Sequence, residues 1–157
     1  MKIQYAETPG EIDEIRRLFL EYEAYLDVDL CFQSFKEELA GLPGKYAPPD
    51  GILLLAWDGL ESAGCGALRK LDSGICEMKR LFVKPKFRGM GLGTTLAKRL
   101  IYEAIRLGYS TMLLDTLDRL KAAMRIYESL GFVRTKPYYQ NPLAGVVYWK
   151  LDLTSIP

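Results

Sequence analysis

A chain of 157 residues, 49% of them apolar, has the size and the oil for one hydrophobic core and little more. Its 21 Lys and Arg stand against 20 Asp and Glu, and a net charge of +1 gives no long-range pull toward nucleic acid or an anionic membrane. Histidine is absent, which excludes the commonest general base, the commonest metal ligand and any Ser-His or Cys-His nucleophile pair.

Residues 2–6 alternate and are expected to form a short strand. Thr8-Pro9-Gly10-Glu11 then opens a helix: Thr8 caps it, Pro9 suits its first position, and Glu11 completes a capping box. Ile12, Ile15, Leu18, Phe19, Tyr22 and Leu26 follow at helical spacing as one buried stripe. A shorter helix is predicted around 34–42, stopped by Pro43-Gly44, with loop through Pro48-Pro49. The apolar run 51–57 suits a strand covered on both faces. Asp58-Gly59 turns it back into a glycine-containing strand over 61–70, Asp72-Ser73-Gly74 turns again, and 75–83 is a third strand stopped by Pro85.

The pattern then changes. Leu92, Leu96, Leu100, Ile101, Ala104 and Ile105 mark one face of a helix over 92–107, ended by Gly108. A short strand at 111–115 precedes a helix over 119–130, with Leu120, Ala123, Met124, Tyr127 and Leu130 inward; 132–135 and 146–153 are closing strands. The predicted fold class is α/β with a mixed sheet: an antiparallel meander, a βαβ unit, another crossover, and helices on both faces, with residues 1–157 as one domain. Cys31, Cys65 and Cys76 are odd in number and widely spaced, so neither a disulfide framework nor a metal site is expected. The first 14 residues lack the apolar core of a secretory signal, and no run approaches the ~18 residues of a membrane span, so a cytoplasmic location away from membranes is the expectation.

The most informative stretch leads from the third strand of the meander through Arg88-Gly89-Met90-Gly91-Leu92-Gly93 into a long helix. Glycines let backbone amides approach a ligand, and the first amides and dipole of the helix favour an anion. Arg88 adds a fixed positive charge, with Lys84 and Lys86 close in sequence. This reads as a cradle for a diphosphate. A P-loop would need Lys followed by Ser or Thr after the glycines, and a dinucleotide fold would need GxGxxG after a first parallel strand; neither is present. A glycine turn that only packs helix on sheet is the plainer alternative.

Arg88-x-x-Gly91-x-Gly93 resembles the acetyl-CoA signature of the GNAT superfamily of N-acetyltransferases. Leu114-Asp115-Thr116 and Ala123-x-x-x-Tyr127-x-x-x-Gly131-Phe132 resemble its second motif, and the order of elements agrees over essentially the whole chain. The resemblance implies an enzyme that moves an acetyl group from acetyl-CoA to a primary amine of a small-molecule or peptide acceptor, by direct attack in a ternary complex. It implies that Arg88, Gly89, Met90, Gly91, Leu92, Gly93 and Thr94 hold the pyrophosphate. Leu81, Phe82 and Val83 would pair with the pantetheine arm as with an added strand. The N–H of Phe82 or Val83 would stabilise the thioester oxyanion, and Ala123 would leave room for the coenzyme.

Tyr127 is implied as the general acid, its alternative being a core residue of the helix's inward face. Glu77, eleven residues before Arg88, is implied as the base, its alternative being a pair with Lys79 or Arg80; a water relay or an already neutral amine also stays open. Asp118 stands where many members carry a coenzyme-binding Asn, and its expected role is only to cap the following helix. Tyr22, Tyr25, Asp27, Asp29, Phe32, Tyr138, Tyr139 and Asn141 are candidates to line the acceptor site, Asp27 and Asp29 equally being turn residues. A non-catalytic acyl-CoA-binding regulatory module is the competing function, and the oligomeric state, a homodimer included, is left open.

Overall fold

The computed structural model describes residues 1–31 and 34–156. Among them seven strands form one sheet: β1 (Lys2–Tyr5), β2 (Ile52–Asp58), β3 (Glu61–Asp72), β4 (Ile75–Val83), β5 (Thr111–Leu117), β6 (Val133–Thr135) and β7 (Val146–Asp152). Their order is β1-β2-β3-β4-β5-β7-β6, and only β4–β5 is parallel. The helices are α1 (Pro9–Leu26), α2 (Phe35–Ala40), α3 (Leu92–Arg106) and α4 (Lys121–Ser129). α3 is the crossover from β4 to β5; α4 leads from β5 to β6, and β7 returns between those two strands. The mixed α/β architecture read from the sequence is the one observed. No helix among the described residues is long and apolar enough to cross a membrane.

Strand alternation builds two cores. Along β2, Ile52, Leu54 and Ala56 join the core under α3, while Leu53 and Leu55 join the one under α1 and α2. This is why the run is apolar at every position rather than at every second one. α1 starts as its residues dictate: Thr8 Oγ1 accepts the Glu11 N–H at 3.2 Å, and the Glu11 carboxylate accepts the Thr8 N–H at 2.9 Å, a cap worth about 1 kcal/mol.

Two local expectations are corrected. Ile105 is exposed, and Glu103 is buried in its stead, taking the Tyr5 hydroxyl at 2.6 Å and the guanidinium groups of Arg99 and Arg106. A carboxylate with three donors can be buried where an unpaired one cannot. α4 begins at Lys121 behind an N-cap at Leu120, so Asp118 caps nothing. Its carboxylate lies instead against Gly145, where a Cβ would come within 2.7 Å of it.

The feature that shapes the site is an irregularity in β4. Cys65 pairs with Phe82 and Ala67 with Lys79, so β4 takes three steps where β3 takes two. The extra residue is absorbed at Arg80, whose φ of 59° is left-handed and costs a non-glycine residue about 1–2 kcal/mol. β3 makes room with Gly64, where a Cβ would meet the Phe82 carbonyl oxygen at 2.6 Å. Past Glu77 no strand among the described residues pairs with the other side of β4: the β4–β5 ladder stops at Glu77–Leu113, although both strands run on.

Candidate active site

Where β4 ceases to pair with β5, a cavity of about 690 Å³ opens between the end of β4 and α4. Leu81, Phe82 and Val83 form one wall, Ala123, Ile126 and Tyr127 of α4 the other, and the glycine turn with Leu92, Gly93 and Thr94 closes one end. Gly91 is the N-cap of α3 with φ 79°, and Gly89 has φ 82°. Among the described residues no side chain caps this helix; its first internal bond is from the Thr95 N–H to the Gly91 carbonyl, 3.0 Å. The amides of Leu92, Gly93 and Thr94 therefore precede the helical ladder at the positive end of the dipole. Met90 leaves the turn with its side chain in solvent.

The open edge of β4 can be read atom by atom. In a strand, the N–H and C=O of one residue point the same way, and successive residues alternate. The Lys84 N–H donates to Ala63 on β3 at 2.9 Å. Val83, one residue earlier, thus turns its N–H and C=O toward the cavity. Arg88 uses that carbonyl, donating from Nε at 3.0 Å, and its guanidinium lies 4.0 Å from the Tyr25 ring centre. Arg88 and Tyr25 therefore sit together at the strand edge, with Tyr25 also against Phe82 at 6.0 Å.

A second, smaller chamber of about 70 Å³ adjoins the first, sharing Tyr22, Leu26, Leu81, Leu120, Ala123 and Tyr127 with it. Its own walls add Lys79, Arg80, Asp115 and Asn141. Tyr127 is buried at the junction, held by an edge contact with Phe132 at 5.6 Å and a tilted one with Trp149 at 6.3 Å. Burial, with Tyr22 and Asp115 nearby, holds its phenol well above the ordinary value, so it keeps its proton at every working pH. Asp115 went unassigned from sequence. Its Oδ2 accepts from the Tyr139 hydroxyl and from Asn141 Nδ2 at 3.3 Å, and Asn141 also donates to the Tyr139 hydroxyl at 2.8 Å. A charged residue between Leu113 and Leu117 on one strand face was the available signal.

Glu77 lies behind this chamber rather than on its wall. It is fully buried, accepts from Arg69 Nε at 2.8 Å and from the Tyr138 hydroxyl at 2.5 Å, and has Lys79 Nζ at 4.0 Å. Tyr138, Tyr139 and Tyr148 form a knot of rings 5.3 to 5.8 Å apart that carries these hydroxyls into place. Burial pulls the Lys79 pKa down to about 8, with Arg80 pulling the same way and Glu77 and Asp115 opposing. The unfolded chain keeps that proton to an ordinary value near 10.4. From about pH 8 to pH 10 the unfolded state therefore binds more protons, and this group makes stability rise with pH, by at most on the order of 3 kcal/mol. Thermal melts at about pH 7.5 and pH 9.5 are expected to show a smaller gain in Lys79→Met than in the wild type; equal gains would remove Lys79 as the cause.

The other sequence candidates scatter. Tyr22 lines both cavities and Tyr25 the larger one. Asp27 is the left-handed C-cap of α1 with φ 53°, and Asp29 accepts the Cys31 N–H at 2.8 Å; both line a surface groove outside the chamber. Phe32 lies outside the described residues.

A mixed sheet parted beside a bulged strand, with a glycine-led helix at the parting, defines an acyltransferase of the N-acetyltransferase type. The chain belongs to the acetyltransferase (GNAT) family: residues 12–132 match that family's model. An uncharacterized N-acetyltransferase of Schizosaccharomyces pombe is 44% identical over 156 residues, spanning 98% of this chain and 96% of the relative. N-alpha-acetyltransferase 30 of Homo sapiens is 38% identical over 92% of this chain, which spans 42% of that protein. Among solved structures, a GNAT acetyltransferase of Staphylococcus aureus superposes with a TM-score of 0.80 at 19% identity, covering 97% of this chain and 98% of its own. A Salmonella typhimurium structure with its cofactor acetyl-CoA superposes at 0.69 and 23% identity, covering 98% and 94%. These two likenesses speak to the fold.

Proposed function

We propose that this chain transfers an acetyl group from acetyl-CoA to the primary amine of a small-molecule or peptide acceptor, by direct attack within a ternary complex. The observation that carries the reading is the meeting of the long groove and the small polar chamber at Tyr127. The groove has the parts a coenzyme A thioester needs: amides of Leu92 to Thr94 for the diphosphate, and the outward C=O of Val83 for the amide-bearing arm. Arg88 exchanges its contact with the Val83 carbonyl for the phosphates when the arm arrives. The Val83 N–H then faces the thioester carbonyl and its developing negative charge.

The acceptor enters from the chamber side. A volume of about 70 Å³ holds a few waters, so only the amine tip and its first carbons fit there, the rest lying between α1 and the β6–β7 loop. A carboxylate takes one proton from the ammonium, the neutral nitrogen forms its bond to the carbonyl carbon, the carbon–sulfur bond breaks as Tyr127 gives its proton to the leaving thiolate, and the nitrogen's second proton restores the Tyr127 phenol as the amide forms. Two carboxylates compete for that last role. Glu77, expected from sequence, is enclosed by Arg69, Lys79 and Tyr138; Asp115 lines the chamber itself, and the amine-facing role is assigned to it.

Calorimetry with coenzyme A and thiol release from acetyl-CoA over a panel of primary amines test the reading. Binding plus amine-dependent release supports it, with Gly91→Val as the control expected to lose binding by straining the φ 79° cap. Binding without release by any amine would favour a regulatory module, and no binding would end the proposal.

A further inference from the structure

Arg80 adopts a left-handed conformation although nothing local favours it there; it is neither Gly nor Asn and is 4% exposed. What holds it comes from elsewhere in the chain. Its guanidinium makes a two-pronged contact with Glu38 of α2, Nε to Oε2 and Nη2 to Oε1, both 3.0 Å. The Phe35 ring of the same short helix lies 5.2 Å from its guanidinium carbon. Its carbonyl accepts the Cys65 thiol at 3.3 Å. α2 is itself tied to α1, Arg16 Nε donating to the Leu39 carbonyl at 2.8 Å.

We propose that Glu38 is a positioning residue for coenzyme binding: its paired contact with Arg80 holds β4 in the bulged path that turns Leu81 and Val83 toward the groove. The inference rests on reading that strand edge as the docking line of the pantetheine arm. Its physical basis is register. Removing the extra residue of a bulge reverses the side that each following residue presents, because strand alternation has a period of two. A β4 relaxed at Arg80 would send the N–H and C=O of Val83 to β3 and offer the groove the wrong groups. A bidentate pair between guanidinium and carboxylate fixes direction as well as charge, and so can hold one backbone conformation against its alternative. When the clamp is gone, the relaxed conformer competes, and the coenzyme must restore the bulge as it binds.

Coenzyme A calorimetry on the wild type, Glu38→Gln, Arg80→Ala and Arg80→Gly tests this. Glutamine keeps the shape of Glu38 and loses the charge; alanine loses the clamp and keeps the left-handed penalty; glycine loses the clamp and the penalty together. The expected result is a Kd about tenfold weaker in Glu38→Gln and Arg80→Ala, and within about threefold of wild type in Arg80→Gly. In Glu38→Gln the loss is expected in KM for acetyl-CoA, with kcat changed less than about threefold. A purely structural ion pair would lower the melting temperature of all three variants and leave the affinity of the folded protein unchanged; that outcome, or equal affinities for Arg80→Ala and Arg80→Gly, overturns the proposal. Where Glu38→Gln does not fold, the Arg80 pair decides alone. A wild type that fails to bind coenzyme A refutes the functional reading itself and is distinct from either result.

Discussion

Tyr127→Phe is expected to lower kcat at least about 100-fold while leaving the Kd of coenzyme A within about twofold, the size expected for losing a general acid. The substitution deletes one oxygen and keeps the ring, so the contacts with Phe132 and Trp149 that seat α4 persist. The departing thiolate has an ordinary pKa near 8.5 and the phenol one near 10, so proton transfer between them is only mildly uphill in water. Burial raises the phenol further, which guarantees that the proton is present before reaction but makes its transfer depend on the thiolate arriving close by. Position therefore matters more than acidity. Tyr127 stands where groove and chamber meet, on the same wall as Ala123, whose small side chain keeps that junction open. Thiol-release kinetics with saturating acceptor, beside calorimetry, separate the two quantities. Turnover equal to wild type would return Tyr127 to the core.

What could be read from the residues and what could not divide along a physical line. The capping box at Thr8, the apolar run of β2 and the glycine turn ahead of α3 are decided within a few residues, so local chemistry announces them. The bulge at Arg80 is a property of pairing: it exists because Cys65 meets Phe82 while Ala67 meets Lys79, and no pattern within β4 alone carries that information. The exchange of Ile105 for Glu103 on the buried face of α3 has the same origin, since Tyr5, on a strand nearly a hundred residues away, supplies the donor that permits it. Acidic residues are hard to place for a related reason. Asp27 and Asp29, readable as amine ligands or as turn residues, sit in the turn after α1, whereas Asp115, hidden between leucines, is the carboxylate on the chamber wall.

Asp115→Asn is expected to lower kcat/KM for the amine about 100-fold near neutral pH and to leave coenzyme affinity unchanged, because the residue lines the chamber and not the groove. An alkyl ammonium with a pKa near 10 must lose a proton before it attacks. If Asp115 takes that proton, raising the pH supplies neutral amine directly, and the deficit of the variant is expected to shrink steadily from about pH 7 to pH 9.5. Asparagine preserves the side-chain shape and keeps an oxygen for Tyr139, so the loop that carries Asn141 stays in place. Glu77→Gln supplies the contrast. It leaves Arg69 and Lys79 without their buried counter-charge, and breaking such a pair costs about 3–5 kcal/mol. Its expected signature is thus a lower melting temperature with less than about a tenfold loss of kcat in the folded fraction. The reverse pattern, a stable and inactive Glu77→Gln beside an active Asp115→Asn, would move the base to Glu77 and make Asp115 a partner of Tyr139 only. The two carboxylates share one face of the sheet, and Lys79 lies between them in influence, its charge drawn to both. A deficit that shrinks with rising pH in one variant and not in the other is therefore the measurement that separates the proton's first stop from the charge network behind it.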